Sequence, residues 1–156
     1  MAFAGAPIHL GGVVRLGQTY SGVIVANHVS KVAVRVHKYD AAAGPLTLQV
    51  LKADFTVLDS ATIAGGAIPM GASVQTFDFG CAGGLLVGSP FYGMILESPL
   101  SAPHAYGWYG TAADPYVGPG TTRQGWTETV DGDGIPEMLP IAGGDYDFTF
   151  RISTRP

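Results

Sequence analysis

Residues 145–152 read DYDFTFRI. Asp145, Asp147, Thr149 and Arg151 alternate there with Tyr146, Phe148, Phe150 and Ile152. The period is two, so one face is aromatic and aliphatic and the other is polar. That is the pattern of a half-buried β-strand. A strand so regular at the end of a chain is expected to insert among earlier strands and close a sheet.

The same period recurs upstream. Val32, Val34 and Val36 face one way, while Ala33, Arg35 and His37 face the other, with His37 outward beside Arg35. Leu46, Leu48 and Val50 alternate with Thr47 and Gln49. FTVLDSATI (55–63) reads as a further strand or a bent pair. SVQTFDF (73–79) puts Gln75, Phe77 and Phe79 on one face and Val74, Thr76 and Asp78 on the other. FYGMILE (91–97) is a nearly continuous apolar run, as a central strand requires. DAAAGP, AGGAIPMG, CAGG and DGDG punctuate the series, and no segment carries a helical period. About eight to ten strands at this spacing predict an all-β fold, an antiparallel β-sandwich or jelly roll. Residues 98–144 hold six of the eleven prolines and both tryptophans. They are expected to form long loops at one end of the sandwich, with short strands around 104–109 and 124–129. Loops of that length on a rigid scaffold tend to carry function.

Composition narrows the function classes. A chain of 156 residues favours one domain. Charged residues make up 13%, against about 25% in typical soluble domains. Much of the surface is therefore neutral, which favours packing against neighbours. The net charge is −4 and no Lys/Arg run exists, so no nucleic-acid partner is expected. No stretch has the 18 or more apolar residues of a membrane span, so no membrane insertion is expected. The N-terminus, MAFAGAPIHLGG, lacks the basic start of a secretory signal, and the chain is expected to be made in the cytoplasm.

Catalytic and metal constellations are thin. Cys81 is the single cysteine, which excludes an intramolecular disulfide and a Cys-based zinc site. It reads as a small buried residue. Ser89 sits in VGSPFYG, a turn into a strand, and no G-x-S-x-G occurs. His9, His28, His37 and His104 show no metal spacing. DGDGIPEM places Asp131 and Asp133 near Glu137, but Ile135 and Ala142 stand where a calcium loop of the EF-hand type needs oxygen ligands. An Asp-Gly turn is the plain reading. A looser calcium site, with Asp114, Asp145 and Asp147 approaching, is the other. No cofactor and no enzymatic activity are expected.

The aromatics leave two readings open. Tyr106, Trp108, Tyr109, Tyr116 and Trp126 crowd the loop-rich segment. Exposed rings beside Asp114 would stack on sugars and bind their hydroxyls, giving Tyr106, Trp108, Asp114, Tyr116 and Trp126 as candidate glycan-binding residues. Alternatively, Tyr106 and Trp108 share one strand face and cover the core.

The order of motifs resembles the β-sandwich jelly-roll modules of secreted bacterial proteins and bacteriophage virion proteins. The resemblance covers residues 16–153. It rests on Gln18 and Tyr20 before a Val-rich strand, and on Gly88, Phe91 and Tyr92 opening a central strand. Tyr106 and Trp108, the turn Asp114 to Tyr116, and Asp147, Phe150 and Arg151 in the closing strand complete it. It implies a binding or structural role: a virion component such as a capsid decoration, spike, fibre-like or tail accessory protein, or else a carbohydrate-binding module. Implied partners are other virion proteins (capsid or tail subunits), copies of the chain itself in a homo-oligomer with three-fold symmetry, and host polysaccharide. Residues 1–15 are expected to form an N-terminal arm and 16–156 the domain. Phe3, Pro7, Ile8 and Leu10 would dock that arm onto the sheet edge of a neighbour.

Overall fold

The computed structural model describes residues 7–10, 14–20, 28–52, 56–79, 92–99, 105–111, 124–129, 137–140, 147–148 and 150–155. Within them the chain is almost entirely antiparallel β, with two principal sheets facing each other. The strands are β1 (Ile8–Leu10), β2 (Val14–Tyr20), β3 (His28–Lys38), β4 (Leu46–Leu51), β5 (Val57–Ile63), β6 (Gly71–Asp78), β7 (Tyr92–Glu97), β8 (Tyr106–Trp108), β9 (Gly110–Thr111), β10 (Gln124–Thr129), β11 (Glu137–Pro140), β12 (Asp147–Phe148) and β13 (Phe150–Arg155). The only helical turn among the described residues is a 3-10 turn, Gly65–Ala67, within the predicted AGGAIPMG turn.

The first sheet is built around β3. On one side β6 pairs with it along residues 31–38 in unbroken register. On the other side β13 takes its first part and β8 its last, and β1 lies outside β8. The second sheet runs β11-β10-β2-β7-β4-β5. The apolar run at β7 is central in it, between β2 and β4, as its sequence predicts.

The core lies between the sheets, and the inward sets expected for β3 and β4, with Phe77, enter it. Val32, Val34, Val36 and Phe77 come from the first sheet, and Leu16, Leu46, Leu48, Val50, Met94 and Leu96 from the second. Burial of aliphatic side chains at about 25 cal/mol per Å² is the main force holding two such faces together.

The expected final strand is divided. Phe148 pairs with Gly110 in a small third sheet of β12 and β9, whereas Phe150 pairs with Val34 of β3. The division is a fork. Tyr109 still donates its N–H to Arg35 O at 3.0 Å. Beyond it β9 leaves β3, and β13 takes up the vacated edge. Trp108 and Phe148 fill the fork, stacked at 4.4 Å and 14° and both fully buried. Gln18 crosses from the second sheet to hold it: its Oε1 accepts the Phe148 N–H at 2.7 Å.

The short strands expected around 104–109 and 124–129 are β8 and β10; among the described residues of 98–144, β9 and β11 join them, so this segment contributes to all three sheets. The N-terminal strand lies within the first sheet of its own chain. β1 adds to the edge of β8 within the same chain, with Ile8 opposite Trp108 and Leu10 opposite Tyr106, and Ile8 packs against the core. The apolar residues of the arm satisfy a sheet edge of their own domain.

Candidate functional site

The outward set of β3 builds the most developed surface among the described residues. Strand alternation sends Arg35 and His37 to the face opposite the valines, both half-buried, and Tyr39 follows on the same side at 38% exposure. The His37 ring stacks on Tyr39 at 4.3 Å and 27°. His37 Nδ1 is 3.1 Å from the Tyr109 hydroxyl, in a hydrogen bond. The Arg35 guanidinium lies 4.7 Å from the centre of the Tyr109 ring, within cation–π range. Tyr109 reaches this position because its backbone N–H is bonded to Arg35 O at the fork.

Gly107 makes room for the arrangement. It stands opposite His37 on one side and His9 on the other. A Cβ there would lie 2.8 Å from Pro7 Cβ and 3.1 Å from Tyr39 Cε2. The bare glycine therefore lets Tyr39 lie close over β8. Partial burial, then the neighbouring Tyr109, push the Tyr39 phenol above its ordinary value of 10.0.

The patch continues onto β6, where Val74 stands opposite Arg35 and is 64% exposed. Lys31 and Asp78 close its far end with an ion pair at 3.2 Å. The patch thus offers ring faces, a guanidinium, an imidazole and an apolar side chain on an open sheet face. The outer face of the second sheet is different. It carries a polar ladder in which Glu97 meets Arg15 at 3.3 Å and accepts from Gln49 Nε2 at 3.0 Å, and Thr47 meets Thr62 at 2.8 Å.

Of the candidate glycan residues, two are placed with their side chains. Tyr106 and Trp108 are fully buried, so neither presents a ring to a sugar; they cover the core, as their shared strand face allows. The Tyr106 hydroxyl donates to Gly44 O at 2.6 Å, tying β8 to the turn after β3. Trp126 lies on β10 in the other sheet, in register with Gly17. Asp114 and Tyr116 lie outside the described residues, as do Phe3, Cys81, Ser89, His104, Asp131, Asp133 and Asp145. Among the described residues no group of three or more His, Cys, Asp or Glu is placed to hold a metal ion. None of their helices is long and apolar enough to cross a membrane.

The sequence places His37 beside Arg35 but does not by itself assemble the patch. The signal is the run Arg35, His37, Tyr39 at alternate positions, and the fork that brings Tyr109 over them leaves no local trace. The chain matches no protein-family model, no curated protein and no solved structure at a significant level.

Proposed function

We propose that this chain is a non-enzymatic structural module of a bacteriophage virion, a capsid decoration, spike, fibre-like or tail accessory protein, working through protein–protein contacts of its sheet surfaces. The observation that carries the assembly part is the outer face of the first sheet, where Tyr39 and Val74 stand exposed beside a braced Arg35–Tyr109–His37 cluster. A charged fraction of only 13% points the same way, since little charge must be desolvated when such surfaces meet. The virion setting rests on the motif resemblance over residues 16–153. A jelly-roll path belongs to the same proposal. In its support, β2 pairs with β10, β3 with β8 and β4 with β7, a nested series of antiparallel pairs such as a rolled-up hairpin makes.

The test is the protein content of particles purified by density gradient from the cells that encode the chain. The proposal expects the chain in the particle band at a fixed ratio to the major shell or tail protein. Finding it only in the soluble fraction would sink the virion reading. The second reading, a carbohydrate-binding module, is favoured by the stacked and partly exposed Tyr39–His37 pair. A Tyr39→Ala variant separates the two, because it abolishes polysaccharide binding only under the second reading.

A further inference from the structure

Sheet edges expose unpaired backbone donors and acceptors, and most of the edges here are blunted. β1 is three residues long. β11 is four residues long and ends in Pro140, which has no N–H to donate. The register of β5 on β4 shifts at Val50/Leu51, and that of β13 on β3 shifts at Ser153/Thr154. β13 also carries Arg151 and Arg155.

β6 has none of these devices. It is eight residues long, pairs with β3 in continuous register, and among the described residues has no partner on its other edge. Residues 71–77, GASVQTF, contain no charge and no proline. The large apolar side chain at its middle, Val74, is 64% exposed.

We propose that β6 is a self-association edge, on which a second copy of this chain pairs antiparallel about a two-fold axis at Val74. Pairing of an edge with itself is isologous, so every residue near the axis meets its own copy. A charge there would repel itself. β6 brings none: the axis sets Val74 against Val74 of the second copy, with Ala72 opposite Thr76 on the same outer face. Cross-strand pairs of β-branched residues are favourable. The one charge on the strand, Asp78, is already paired with Lys31. The axis keeps it about 27 Å from its copy at the spacing of an extended strand, well beyond the roughly 8 Å screening length at physiological salt. The two first sheets would then merge into one, with both Arg35–His37–Tyr39–Tyr109 patches on a common face. This deepens the assembly reading and fails separately from the virion setting, which the particle band decides.

Light scattering of the purified full chain tests it. The expected result is twice the 16.1 kDa chain mass, unchanged between low and high salt because the paired segment is uncharged. Val74→Lys and Val74→Glu should each give the single-chain mass, with far-UV circular dichroism unaltered because the side chain is exposed. An equimolar mixture of the two variants should return to the doubled mass, since only contact of position 74 with itself puts Lys against Glu. A single-chain mass for the wild type, a dimer that survives Val74→Lys, or a mixture that stays monomeric would each overturn the proposal.

Discussion

At the scale of single residues, the fork shows why particular side chains stand where they do. Gln18 is a polar residue with no exposure, and its place is explained by the Phe148 N–H it accepts across the sandwich. Gln18→Leu would keep most of the volume and leave that N–H buried without its acceptor. The expected loss is about 1–3 kcal/mol, the penalty for an unsatisfied buried donor, read by chemical denaturation. Lys38 obeys the same logic. Alternation sends it inward at the end of β3, and its Nζ is satisfied by Gly65 O at 2.6 Å and Ile68 O at 3.2 Å. The ammonium thereby ties β3 to the 3-10 turn. Gly65 must be glycine there, because a Cβ would collide with the carbonyl oxygens of Ala43 and Gly44. Burial raises the Tyr106 phenol above its ordinary value of 10.0, and burial with Tyr109 does the same for Tyr39. A raised folded value means that the unfolded chain loses its protons first. The stability these groups contribute is complete below about pH 10 and is lost as pH rises through their folded values. Phenolate absorbance should therefore show a late-titrating fraction in the folded protein, and that fraction should be smaller in Tyr106→Phe.

Elements were the most legible level in the sequence. The valines of β3, the alternation of β4, Phe77 of β6 with Phe79 just beyond it, and the apolar run of β7 each report burial correctly, because period-two patterning is a local record of which face meets the core. The faces of the closing segment were also legible, since Phe148 is buried and Arg151 exposed. Its division between β12 and β13 was not, because that depends on which distant strand claims each backbone group. The same limit applies to Tyr106 and Trp108. Their pattern fits either an exposed platform or a core face, and only the opposite sheet decides for the core. The pairing of the N-terminal residues is illegible for a related reason: Pro7, Ile8 and Leu10 show no partner in the sequence until β8 offers an edge. A chain lacking residues 1–10 should consequently lose stability as an isolated protein, because β8 loses its outer partner and Trp108 its neighbour Ile8. Thermal unfolding checks this. An unchanged midpoint would restore the view of a detachable arm.

At the scale of the whole molecule, two facing antiparallel sheets leave two outer surfaces of different character. One carries a self-satisfied ladder around Glu97; the other carries the Arg35, His37, Tyr39 and Tyr109 patch bordered by the unblunted β6 edge. Low charge, a partly exposed aromatic face and an edge uncharged over residues 71–77 are what the proposed assembly role draws on. The most direct measurement is the copy number of this chain in gradient-purified particles from the cells that encode it, by quantitative mass spectrometry. A virion component should be present at a fixed number of copies per particle that persists through a second gradient. A chain that stays with the soluble proteins, or whose amount varies freely against the particle, would contradict it.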